Sequence, residues 1–147
     1  MNSLKLGNIG SLVSFNSESS KMVNKRQVEI VIENGTIIDI GEKLGDADSF
    51  IDCGNNLVTP GFVDSHTHPV FVDTREEEFE MRVSGLSYQE IHARGGGILK
   101  STKLLRKASE RVLISKVKSR MDTFLSLGTT TVECKSGYGL ETASELK

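Results

Sequence analysis

The strongest constraint on how this chain can fold is the run Thr59-Pro60-Gly61-Phe62-Val63-Asp64-Ser65-His66-Thr67-His68. Pro60-Gly61 marks a turn, Phe62 and Val63 open a strand, and Pro69 follows the second histidine. In a β-strand, side chains at i and i+2 share a face. His66 and His68 therefore reach one point in space, as a metal site requires, and imidazole nitrogen is a common ligand for Zn²⁺ and Fe²⁺. The run-in places the pair at the carboxyl end of a buried strand. Asp64 shares that face on an ideal strand. It is either an acceptor for an imidazole N–H or a residue of strand and turn structure.

The residues before this run read as short strands and turns. Val28–Ile32 and Gly35–Gly41 flank Asn34-Gly35, and Asn-Gly between β-branched runs is a strong hairpin signal. Phe50–Cys53 and Leu57-Val58 continue the pattern. Residues 1–58 are thus expected to form a small β-sheet domain, with an open sheet edge unless another segment covers it.

After the histidines a loop is expected from Pro69 to about Val83. Ser87-x-x-Glu90 is a capping box, so a short helix starts at Ser87 and ends by Gly95-Gly96-Gly97. A helix from about Ile98 leads to a second one near Ser109. On that second helix Val112 or Leu113, Val117, Met121, Phe124 and Leu125 recur at helical spacing and give an apolar face. Gly128 ends it, and Thr129–Glu133 is β-branched and reads as a second strand. Thr142-Ala143-Ser144-Glu145 has the form of a capping box with Thr142 as N-cap.

Composition narrows the function classes. With 18 basic and 20 acidic residues, electrostatically driven binding to nucleic acid or membrane is not expected. The basic run Lys100, Lys103, Arg106, Lys107, Arg111 reads as a solvated helix face. No apolar stretch approaches the roughly 20 residues of a membrane span. The N-terminus has no signal-peptide pattern. Cys53 and Cys134 lie far apart and match no metal pattern, which points to reduced thiols and a cytoplasmic location.

Four further segments join the histidine run in a resemblance: Arg75–Arg82, Ser87–Ile91, Ala93–Ile98 and Gly128–Leu140. Together they resemble the amidohydrolase superfamily and, within it, the imidazolonepropionases, from about Asn34 to the last residue. The resemblance implies an α/β fold. A small N-terminal β-sheet domain, 1–58, is one part of a composite β-domain. Residues 59–147 are the first part of a (β/α)₈ barrel, incomplete in this chain, because a whole barrel takes roughly 250 residues. The chain is expected to be the N-terminal portion of a longer protein, and a Thr142 helix that stops after one turn agrees with this.

The same resemblance implies one divalent metal ion, Zn or Fe, held by His66 and His68 with a further His and Asp from later strands. No catalytic residue is then expected within this chain. Barrel enzymes place functional groups at the carboxyl ends of strands and on the loops that follow. On the resemblance, Arg75 takes the propionate carboxylate of the substrate, for which a planar guanidinium is suited; composition alone reads it as an exposed arginine paired with Glu76, Glu77 or Glu78. Tyr138, between two glycines, hydrogen-bonds its ring, and Tyr88 is a weaker candidate for the pocket. His92 reads as a surface helix residue. Lys135 is not expected to act as a bridging lysine, and Gly95-Gly96-Gly97 lacks the context of a phosphate loop.

The implied activity is opening of the ring of 4-imidazolone-5-propanoate to N-formimidoyl-L-glutamate in histidine breakdown. The implied partners are that small molecule, no nucleic acid, no membrane, and a second copy in a homodimer of the full-length protein. Two alternatives stand beside it: another amidohydrolase, such as a nucleobase aminohydrolase, and a non-catalytic truncated product.

Overall fold

The computed structural model describes residues 2–147 as two compact units that divide between Pro60 and Gly61. In the first, β1 (Ser3–Gly7), β4 (Glu29–Glu33), β5 (Thr36–Gly41) and β6 (Ser49–Asp52) form a four-stranded sheet in the order β5-β4-β1-β6. A second sheet joins β2 (Ser11–Asn16), β3 (Lys21–Lys25) and β7 (Leu57–Val58) in the order β3-β2-β7. Strand β1 runs antiparallel to β4 and parallel to β6, with Leu4 opposite both Ile32 and Ser49.

The hairpin expected at Asn34-Gly35 is present. Asn34 and Gly35 both take positive φ, 50° and 80°, as a two-residue turn that follows the twist of its strands demands. Ile9, Leu12, Val28 and Ile30 form the buried core of this unit, with Leu6, Ile32, Ile40, Cys53 and Val58 packed against them. Burying each such aliphatic side chain is worth roughly 1.5–3 kcal/mol. The edge strand β6 leaves Phe50 and Ile51 exposed.

The second unit begins with β8 (Phe62–Thr67), which pairs in parallel with β9 (Thr129–Cys134). Four helices connect them: α1 (Glu76–Val83), α2 (Tyr88–Ala93), α3 (Ile98–Lys107) and α4 (Glu110–Ser126), and α5 (Thr142–Glu145) follows β9. Two parallel strands joined by a helical crossover are the repeating element of a (β/α)₈ barrel. Ser87 caps α2 with both halves of the capping box, and Ser109 caps α4. Gly128 follows α4 at φ 91°, one residue beyond the C-cap Leu127.

Four expectations need correction. Residues 69–83 are not all loop, because α1 occupies Glu76–Val83. Its N-cap is Arg75, which offers no side-chain acceptor, so the usual start signal is missing. Three glutamates in its first turn and Arg82 in its last suit the helix dipole instead. Strand β8 is not buried: Phe62 is 58 % and Val63 69 % exposed, since β9 is its one strand partner among the described residues. On α4, Leu113 is buried, whereas Leu125 is 64 % exposed. Thr142 is the first residue of α5 and not its cap. The N-cap is Glu141, whose side chain caps no backbone N–H and accepts from the Ser144 hydroxyl at 2.6 Å instead.

Candidate metal centre

The carboxyl ends of β8 and β9 are fastened to each other. The Thr67 carbonyl accepts from the Lys135 backbone N–H at 2.8 Å, and the Thr67 hydroxyl donates to the Glu133 carbonyl at 2.7 Å. His66 and His68 flank this fixed residue. Their ring centroids are 5.2 Å apart, and the two Nε2 atoms face each other at 3.3 Å.

The His68 Nδ1–H donates to the Ser136 carbonyl at 2.8 Å, which fixes the tautomer and leaves Nε2 with a lone pair. A hydrogen bond between the two Nε2 atoms would be longer than the usual 2.7–3.2 Å. Two nitrogens bound at 2.0–2.1 Å in a tetrahedral shell lie roughly 3.3–3.4 Å apart. The pair as built therefore fits one shared cation. Among the described residues no group of three or more His, Cys, Asp or Glu side chains converges to hold a metal, and His66 and His68 stand as a pair of candidate nitrogens. Asp64 does not reach an imidazole: its Oδ1 accepts from the backbone N–H of His66 at 3.2 Å and so shapes the strand.

Tyr138 stands beside the pair. Its ring meets His68 edge-on with centroids 6.1 Å apart and packs on Phe71 at 5.8 Å. Gly137, at φ 148°, brings the backbone so close that a Cβ there would lie 3.1 Å from His68 Nδ1. The other expected site residues have different partners. Arg75 pairs with Glu78 one helical turn on, at 3.6 Å. Tyr88 is 61 % exposed and stacks on His92 at 6.1 Å. Lys135 pairs with Glu133 at 3.3 Å.

Two residues that the sequence did not assign to the site hold the loops around the pair. Arg120, on α4, donates to the carbonyls of Pro69, Phe71 and Val72. Glu145, on α5, accepts from the backbone N–H groups of Gly139 and Leu140 at 2.7 and 2.8 Å. The Leu140 N–H, with Ser136 and Gly139 adding to it and burial opposing, holds the Glu145 carboxyl below its ordinary 4.5. A depressed carboxylate pKa contributes stability that is present above the unfolded-state value and lost as pH falls through the folded-state value. Glu145→Gln should cost about 1 kcal/mol at neutral pH, and the gap to wild type should close in acid. Urea unfolding of both proteins across that range checks this, and a gap independent of pH would contradict it.

No family model matches the chain. Individual relatives do. The imidazolonepropionase of Fusobacterium nucleatum subsp. nucleatum is 45% identical over 156 residues, spanning 98% of this chain and 38% of the relative. That of Syntrophobacter fumaroxidans is 52% identical over 107 residues, spanning 73% and 25%. The chain thus spans about a quarter to two fifths of the length of these curated relatives. Among solved structures, a Xaa-Pro dipeptidase with bound methionine in its active site matches with a TM-score of 0.60 at 16% identity, over 92% of this chain and 27% of that one. An atrazine chlorohydrolase from Arthrobacter aurescens TC1, complexed with zinc, matches with a TM-score of 0.50 at 16% identity, over 90% and 28%. At such identities these likenesses speak for the fold: a small β-domain followed by part of an amidohydrolase-type barrel.

Proposed function

We propose, for a chain that belongs with the imidazolonepropionases of the amidohydrolase superfamily, that the full-length protein carrying it hydrolyses 4-imidazolone-5-propanoate to N-formimidoyl-L-glutamate. The observation that carries this reading is the convergence of two imidazole nitrogens at 3.3 Å, one of them oriented by a backbone carbonyl. In this reading His66 and His68 hold one divalent cation, zinc or iron, through Nε2. Such a cation would supply Lewis acidity and lower the pKa of a bound water to about 7. The zinc in the structurally similar chlorohydrolase supports a metal-dependent chemistry without choosing the metal.

In the reaction the oxygen of water adds to the ring carbonyl carbon, the C–N bond breaks, and the departing nitrogen takes a proton. The carbonyl becomes the new carboxylate. This chain contributes binding and orientation. The Ser136 carbonyl holds the Nδ1 proton of His68 and so keeps Nε2 free. The Tyr138 phenol, beside His68, offers a hydrogen bond to a polar ring. Arg75 takes the propionate carboxylate, exchanging Glu78 for substrate. Tyr88 is a further pocket residue, and the group that moves the proton lies outside this chain. Two free cysteines, Cys53 and Cys134, suit a reducing cytoplasm. Among the described residues no helix is long and apolar enough to cross a membrane. We take the functional unit to be a homodimer acting on a small molecule.

Arg75→Ala should raise KM roughly 10- to 100-fold while kcat changes little, because a charge-assisted contact made equally in ground and transition states is lost. Steady-state kinetics with metal analysis check this: KM within twofold of wild type would remove Arg75 from the substrate site. Assays of the full-length protein on imidazolone propionate and on nucleobases decide between this function and a nucleobase aminohydrolase. Turnover of a purine or pyrimidine alone would overturn the proposal.

A further inference from the structure

We propose that Arg120 is a positioning residue for the metal centre: from α4 it sets the loop that follows His68, and through that loop the place of His68 and Tyr138. The inference rests on the metal reading given above. Segment 69–72 belongs to no strand or helix. Among the described residues no backbone–backbone hydrogen bond ties it down. Arg120 meets that need instead. Nη1 donates to the carbonyls of Pro69 at 2.9 Å and Phe71 at 2.7 Å, and Nη2 to that of Val72 at 3.2 Å. The guanidinium also lies over the Phe71 ring, 3.5 Å from its centroid, within the range of a cation–π contact.

The contacts continue to the site. Phe71 packs edge-on against Tyr138, and Tyr138 edge-on against His68. Pro69, whose carbonyl Arg120 holds, is bonded directly to His68. Arg120 and His68 line the same hollow of about 300 Å³, together with Phe71 and Phe124. Arg120 is three residues after Val117 and four before Phe124, so it sits on the inward face of α4. A charged group on that face would be costly without partners, and its partners are all in the loop next to the metal pair. Lysine cannot replace it fully, because a fork of planar donors is needed to hold three carbonyls and lie flat on a ring.

The test uses the full-length protein, Co²⁺ as probe ion, and chelator competition. Arg120→Met should bind Co²⁺ about 10- to 100-fold more weakly than wild type, the usual effect of removing a group that orients a ligand. Its Co²⁺ absorption spectrum should change as His68 shifts. Guanidinium ion, well below unfolding concentrations, should restore part of the affinity to Arg120→Ala, whose truncation leaves room for it, and none to a His66→Ala control. Phe71→Leu should raise KM with little effect on affinity. Arg120→Lys should fall between wild type and Arg120→Met. A folded Arg120→Met protein with wild-type affinity and spectrum overturns the assignment. So does an Arg120→Lys protein that equals wild type, or the failure of both variants to fold, since Arg120 would then serve folding alone. Wild-type protein that takes up no Co²⁺ overturns the metal reading itself.

Discussion

His66→Ala in the full-length protein should lose its metal and nearly all turnover while keeping its fold. His66 is exposed at the end of β8, so its truncation opens no cavity and costs little stability. Its Nε2 has one close partner among the described side chains, His68 Nε2 at 3.3 Å. Removing it therefore subtracts one ligand and leaves the Thr67 clamp to β9 in place. Loss of an orienting partner already costs about 10- to 100-fold in metal affinity, and loss of a ligand should cost more. Circular dichroism should be unchanged, metal content after dialysis close to zero, and imidazolone consumption near background. Normal metal content in this variant would contradict the ligand assignment.

The second large effect concerns residues 1–147 alone, which should show no measurable hydrolase activity with Zn²⁺ or Fe²⁺ supplied. A catalytic zinc takes three protein ligands and an open position, and among the described residues no cluster of three is present. The segment also exposes apolar surface. Phe62 and Val63 on β8, Phe50 on β6, and Ile114 and Leu127 around α4 are all more than half exposed. Exposed strand edges and apolar patches favour self-association, so the isolated chain should be poorly soluble or aggregate. Following imidazolone loss by absorbance on the purified segment checks both points. Turnover from a soluble monomer, comparable to a full-length homologue, would mean that a complete site exists within it.

Much of the local structure of both units was legible because it follows local rules. Asn34-Gly35, Ser87 with Glu90, Ser109 and Gly128 each act within a few residues, and each marks the turn or helix end it predicts. His66 and His68 likewise converge through the i, i+2 geometry of one strand. Part of what the sequence hid is long-range. Arg120 reaches carbonyls 48 to 51 residues away, and in sequence it is one more charge on a helix. Its one signal was its place at the spacing of Val117 and Phe124. Glu145 carries the pattern of a capping box, but two N–H groups of the preceding loop compete for its carboxylate and win. Helix α1 escaped because Arg75 supplies no cap. Arg75 and Tyr88 pair with Glu78 and His92, contacts that a family resemblance does not reveal.

Metal stoichiometry measured together with turnover in the full-length protein tests the central claim most directly. The protein as purified should hold one divalent ion per chain and consume 4-imidazolone-5-propanoate. Chelation should remove ion and activity in proportion, and Zn²⁺ or Fe²⁺ should restore both in wild type but not in His66→Ala. Full turnover by protein stripped of metal, or equal restoration of the His66→Ala variant, would contradict a metal centre built on His66 and His68.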